Sequence, residues 1–269
     1  MSAGMSAGVP PYARALVTGA SAGIGRTFSE QLAARRTDLV LVARDATRLE
    51  ALAGDLRARF GIDVEVLPAD LLDDAQLEAV AARLGAAERP IDLLVNNAGF
   101  GTFGHFADLD VQPELREVQL NVSAIVRLTH AGLAAMEPRG RGAIVNVSSL
   151  AAYQPSPDSA VYGATKAFVN SFTHAVHEEA RPKGVHVMAV CPGYTHTEFH
   201  DRAGLGTTQI PEFLWQSSDD VVRAALRDLD RRRSVSIPGA VNKTAAVFSS
   251  TSPAGVTRKV AGLVIKRSG

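Results

Sequence analysis

Thr18-Gly19-Ala20-Ser21-Ala22-Gly23-Ile24-Gly25-Arg26 decides the architecture of this chain. The apolar burst at residues 15–18 leads into it, and residues 25–34, with helical periodicity, lead out of it. A strand, a glycine-rich turn and a helix start make an anion cradle. Glycines let backbone amides approach a pyrophosphate closely, and the helix N-terminus adds unpaired N–H groups and a partial positive charge. The spacing G-x-x-x-G-x-G assigns Gly19, Ser21, Gly23, Ile24 and Gly25 to dinucleotide contact.

Working outward, further apolar bursts recur at residues 39–42, 64–67, 93–95, 143–147 and 185–190. Each is short enough for a buried strand. Helical periodicity fills residues 47–60, 75–84, 114–136 and 160–181 between them. Strands alternating with helices predict an α/β fold, a parallel sheet covered on both faces with its ligand crevice at the carboxyl ends of the strands. Residues 13–240 read as one domain, preceded by a disordered arm (1–12) and followed by a basic amphipathic extension (241–269).

Lys and Arg together equal Asp and Glu, 28 against 28, which excludes the basic field of a nucleic-acid binder. Cys191 is the single cysteine, so there is no disulfide framework and no multi-cysteine metal site. The start lacks the basic and apolar regions of a signal peptide. No apolar run reaches the roughly 18 residues that span a bilayer. A cytoplasmic location is the expectation.

A candidate reacting centre lies in Tyr162-Gly163-Ala164-Thr165-Lys166. Four residues apart on a helix, the phenol and the ammonium share a face, so Lys166 is expected to lower the tyrosine below its usual value of about 10. Ser149 stands thirteen residues upstream of Tyr162 and ends a strand. The set suits an acid assembled for carbonyl reduction.

The glycine loop, Asn96-Asn97-Ala98-Gly99, Ser149, Tyr162 and Lys166 resemble, in order and separation, the short-chain dehydrogenase/reductase family. The resemblance implies a Rossmann-type doubly wound parallel sheet of about seven strands in a single domain. It also implies a bound nicotinamide cofactor and a homodimer or homotetramer packed through the helices of Asn121 and Tyr162. By that resemblance Asn121 joins Ser149, Tyr162 and Lys166 as a fourth catalytic member, anchoring a water. Tyr162 would give a proton to the carbonyl oxygen, Ser149 would bond that oxygen, and Lys166 would hold the nicotinamide ribose. Asn97, Ala98 and Gly99 then lie along the cofactor, Asp70 meets the adenine, and Pro192, Gly193, Thr195 and Thr197 form the nicotinamide-side loop.

The second strand ends Val42-Ala43-Arg44. Ala43 stands where NAD-type members carry Asp, and an arginine fork can pair with a 2′-phosphate. NADP(H) is therefore favoured over NAD(H), with Ser21 and Arg44 as phosphate contacts. Asp45 leaves a ribose contact open, and Asp70 reads equally well as a helix cap. Residues 194–215 read as a substrate lid, and His196-x-Glu198-x-His200 lacks the H-E-x-x-H spacing, so no metal is assigned. Phe100, Phe103, Phe106, Phe199, Phe213 and Trp215 suggest a largely apolar carbonyl or alcohol substrate. Lys243, Arg258, Lys259, Lys266 and Arg267 suggest weak membrane-surface contact by the tail. Two function classes stand: an NADP-dependent carbonyl reductase or alcohol dehydrogenase, and a non-catalytic NADP-binding regulator.

Overall fold

Strand β1 (Arg14–Thr18) is buried at every position, as a strand covered on both faces must be. In the computed structural model, which describes residues 11–199 and 211–251, β1 pairs in parallel with β2 (Asp38–Ala43) and β4 (Leu93–Asn96). β3 (Val64–Pro68) lies outside β2, and β5 (Gly142–Val147), β6 (Val185–Val190) and β9 (Val235–Ser236) continue beyond β4. The seven-stranded order is β3-β2-β1-β4-β5-β6-β9, a doubly wound, Rossmann-type single domain. Strand order reverses between β1 and β4. The crevice at a reversal takes ligands.

Alternation along the strands divides the core in two. Ala15 and Val17 point to the face covered by α1 (Gly23–Ala34), α2 (Ala46–Phe60) and α7 (Ser218–Asp230), where Phe28, Leu32, Leu56 and Leu226 pack. Leu16, Val40 and Leu94 face α3 (Asp74–Gly85), α5 (Ile125–Met136) and α6 (Ala160–Ala180), meeting Leu84, Leu128 and Val176. Each fully buried side chain of this size contributes about 1.5–3 kcal/mol, which holds both layers on the sheet.

The helix expected over 114–136 is instead three segments. α4 (Val111–Val118) starts at an Asp110 cap, a π-helical turn (Gln119–Ala124) follows, and α5 completes the run. A π turn inserts a residue into the ladder and re-aims side chains, commonly at functional sites. Here it contains Asn121. The seventh strand has only two residues and is preceded by charged side chains, so no apolar burst marks it.

Two short strands, β7 (Thr195–His196) and β8 (Gln216–Ser217), pair in parallel beside the sheet. α8 (Ala240–Thr251) closes the described chain, and its first turns pack into the body rather than standing apart, with Asn242 and Ala246 buried. Among the described residues, no helix is long and apolar enough to cross a membrane. The arm at 1–10, His200 and the rest of 200–210, and the tail with Arg258, Lys259, Lys266 and Arg267 lie outside the described residues.

Candidate functional site

The glycine loop leaves β1 with Gly19 at φ 64° and Gly23 at φ 51°, conformations that a side chain strains. α1 begins at Ala22 with no side-chain cap, so its first amides are left for a ligand. A Cβ at Gly25 would overlap the Gly19 carbonyl and the Asn97 amide nitrogen. Loop, helix and β4 are thus in contact. Thr18 Oγ accepts from the backbone N–H groups of Asn97 and Ala98 at 2.9 and 3.0 Å, and Asn97 Nδ2 donates to Thr18 O at 2.9 Å. The side chain of Asn97 therefore braces the loop. Ile24 packs on the core, while Ser21 lines an open cleft of about 680 Å³ with Gly23, Arg48, Thr197 and Glu198.

Beyond the end of β2, Asp45 is committed to the helix. Its side chain caps α2 by accepting from Arg48 N at 3.0 Å, and Arg48 pairs with Glu198 at 3.0 Å. Arg44 is exposed at the end of β2, and its guanidinium has no ion-pair partner among the described residues. The cap of α3 is Asp73, so the capping alternative for Asp70 is corrected: Asp70 bonds Leu72 N at 3.0 Å and lies beside β3 with its backbone N–H on Gln76.

Ser149, Tyr162, Lys166 and Asn121 come together beyond the ends of β4 and β5. Ser148 bonds the Lys166 carbonyl at 2.9 Å and belongs to the packing, whereas Ser149 caps the 3-10 turn Leu150–Tyr153 and opposes the upward push of burial on the Tyr162 phenol. A Cβ at Gly99 would sit 2.8 Å from Asn121 Oδ1 and 3.7 Å from Lys166 Nζ. Only glycine fits between them. Phe103 and Phe199 both pack against the Tyr162 ring, with centroids 6.0 and 5.6 Å away.

One expectation is corrected by this geometry. The Tyr162 phenol is raised rather than lowered: burial pushes it up to about 12 against the opposing effect of Ser149, and Lys166 Nζ donates to the Val147 carbonyl at 3.0 Å. Burial also brings Lys166 down to about 8, opposed by the charge of Glu117. Asn121, for its part, is occupied by the loop after β4. It accepts from Phe100 N at 3.2 Å and donates to Phe100 O at 2.8 Å, with Thr165 Oγ 3.3 Å away.

On the far side, Pro192 O accepts from Leu150 N at 2.9 Å, tying the loop after β6 to the turn behind Ser149. A Cβ at Gly193 would press on Asn242 of α8 at 2.6 Å. Thr195 is buried with its hydroxyl on the Gly193 carbonyl at 3.0 Å. Thr197 reaches the phosphate loop, its methyl 3.2 Å from where a Gly23 Cβ would be. His196 stacks on Trp215 at 4.7 Å, tying the two ends of the expected lid together. Glu117, Thr102 and Asn242 were not singled out by the sequence.

Residues 13–206 match the family described as short chain dehydrogenase. Among solved structures the chain is similar to a short-chain dehydrogenase from Sphingobium yanoikuyae in complex with NADPH, at 41% identity and TM-score 0.82, covering 88% of this chain and 92% of that one. It is similar to the bulky-bulky ketone specific alcohol dehydrogenase from Comamonas testosteroni, at 36% identity and TM-score 0.76, covering 89% and 94%. Among curated proteins it is 31% identical over 233 residues to the very-long-chain 3-oxoacyl-CoA reductase of Bos taurus, covering 84% of this chain and 72% of that protein.

Proposed function

The chain belongs to the short-chain dehydrogenase/reductase family and is an oxidoreductase, and on that premise we propose that it interconverts a carbonyl and a secondary alcohol on a largely apolar small molecule with NADP(H). One observation carries this reading: the Tyr162 phenol, with Ser149 acting on it and two phenylalanines packed against its ring, lies one helical turn from buried Lys166.

The chain's residues fit the cofactor. The uncapped start of α1 and the space kept by Gly19, Gly23 and Gly25 suit a pyrophosphate. Arg44, exposed and without an ion-pair partner among the described residues, suits a 2′-phosphate, while Asp45 is turned into its helix cap. The NADPH named in the Sphingobium structure supports the same choice. Asp70, Ala98 and Gly99 would line the adenine and ribose path, and Pro192, Gly193, Thr195 and Thr197 the nicotinamide side. When bound, the nicotinamide supplies or accepts the hydride.

A phenol raised to about 12 is fully protonated at neutral pH, so Tyr162 is stocked as an acid. It gives its proton to the carbonyl oxygen, where Ser149 also donates a hydrogen bond. Both act on charge that grows in the transition state. Lys166 stabilises the tyrosinate left behind, and in the oxidative direction that tyrosinate is the base. Asn121 holds the backbone at Phe100 with its side chain and anchors the water that re-protonates the site through Lys166. Phe103 and Phe199 supply apolar walls beside the phenol.

The exposed Val111, Leu115 and Val118 on α4 and Phe168 on α6 support packing against a second copy through these helices. The test of function is a screen of NADPH oxidation over ketones, steroids, acyl thioesters and quinones. Tyr162→Phe is expected to abolish the turnover found while NADPH binding, followed by its fluorescence, persists. Turnover retained by Tyr162→Phe would remove the proposed acid.

A further inference from the structure

Glu117 is fully buried on α4, one turn before Asn121. A carboxylate is costly to bury unless its oxygens are bonded and its charge is opposed. Here both conditions are met. The backbone N–H and the hydroxyl of Thr102 donate to Oε2 at 2.9 and 2.7 Å, and Asn121 Nδ2 lies 3.5 Å from Oε1. Burial pushes the Glu117 carboxyl above its usual range, and every one of these contacts is a donor that opposes that push and favours the ionised form. The opposing charge is Lys166.

We propose that Glu117 is a positioning residue for carbonyl reduction: its carboxylate anchors the loop that carries Phe103 and keeps a negative charge beside Lys166 and Tyr162. This rests on Tyr162 and Lys166 being the reacting pair. The anchor and the charge act on one centre. Thr102 precedes Phe103, whose ring packs on Tyr162. The attraction between Glu117 and Lys166 favours the ammonium, and repulsion by Glu117 favours the protonated phenol. Both effects keep the proton where reduction consumes it. The titratable groups that face Glu117 are Lys166 and Tyr162 from α6 and, from its own helix, Glu114. Glu114 is itself buried, and its Oε1 has no hydrogen-bond partner among the described residues.

Lysine-selective carbon-13 NMR tests the proposal without requiring turnover. The Lys166 Cε resonance, assigned with Lys166→Met, is followed against pH in the full chain. Glu117→Gln is expected to lower its midpoint by about one pH unit, the scale of a neighbouring charge. Thr102→Val loosens the same anchor without removing the charge and is expected to leave the midpoint in place. An unchanged midpoint in Glu117→Gln overturns the proposal, as does an equal fall in Thr102→Val. Where Glu117→Gln does not fold, the wild-type resonance decides: Glu117 is expected to add a second, smaller inflection above the usual carboxylate range, and its absence overturns the proposal. A Tyr162→Phe chain that still turns over would instead overturn the assignment of the acid.

Discussion

Gly25→Ala tests whether the phosphate loop is held by contact or merely formed by glycine flexibility. A methyl group at this position would overlap the Gly19 carbonyl oxygen, lie 2.9 Å from its carbonyl carbon, and overlap Asn97 Nδ2. Neither neighbour yields freely. Asn97 Nδ2 is bonded to Thr18 O at 2.9 Å and Gly19 O at 3.4 Å, so relief on that side breaks bonds worth about 1 kcal/mol each. Overpacking costs about 1–3 kcal/mol, and alanine returns about 1 kcal/mol of helix propensity. The balance is a loss of roughly 2–4 kcal/mol. If the whole molecule absorbs it, Tm falls by roughly 4–16 °C. If the loop moves instead, NADPH binding weakens by roughly 30- to 900-fold. Circular dichroism melts and a fluorescence titration with NADPH measure the two routes together. Tm within about 1 °C and Kd within about twofold of wild type would refute the contact argument.

Gly54→Ala is the contrasting substitution: nothing lies within 4 Å of a Cβ there on exposed α2, so stability is expected to rise by about 0.5–1 kcal/mol in urea unfolding. Arg44→Asp is expected to reduce the NADPH-to-NADH ratio of kcat/KM at least tenfold, since it replaces a phosphate partner by a repelling carboxylate; an unchanged ratio contradicts the 2′-phosphate assignment. Burial of His186 lowers its pKa from 6.5 to about 4, so the unfolded chain binds more protons in that window and stability falls as pH drops from 6.5 towards 4. Allowing for partial solvent access, this is about 1–2 kcal/mol, and His186→Leu is expected to flatten that part of the Tm-against-pH curve. Leu115→Glu is expected to shift any oligomer towards monomer in sedimentation velocity, with the fold unchanged by circular dichroism.

What was legible in the sequence follows from the range of each signal. A central parallel strand is covered on both faces and so is written as an unbroken apolar run; β1, β2 and β4 to β6 were visible to within a residue or two for that reason. The glycine loop and the Tyr162–Lys166 pair were visible because their spacing is itself the geometry. The π turn at Asn121 was hidden because one extra residue in a hydrogen-bond ladder leaves the helical composition intact. Glu117 was hidden by a different cause. A glutamate on an amphipathic helix reads as solvated, and only the folding of Thr102 over it, fifteen residues away in sequence, removes it from water. Asn242 follows the same logic, since its packing under Gly193 joins the last described helix to the loop after β6. Residues proposed to bear the chemistry were therefore marked by local spacing, and those proposed to hold it in place were fixed by contacts between distant loops. The latter are the positions where a substitution should move a pKa or a melting point before it changes the reaction catalysed.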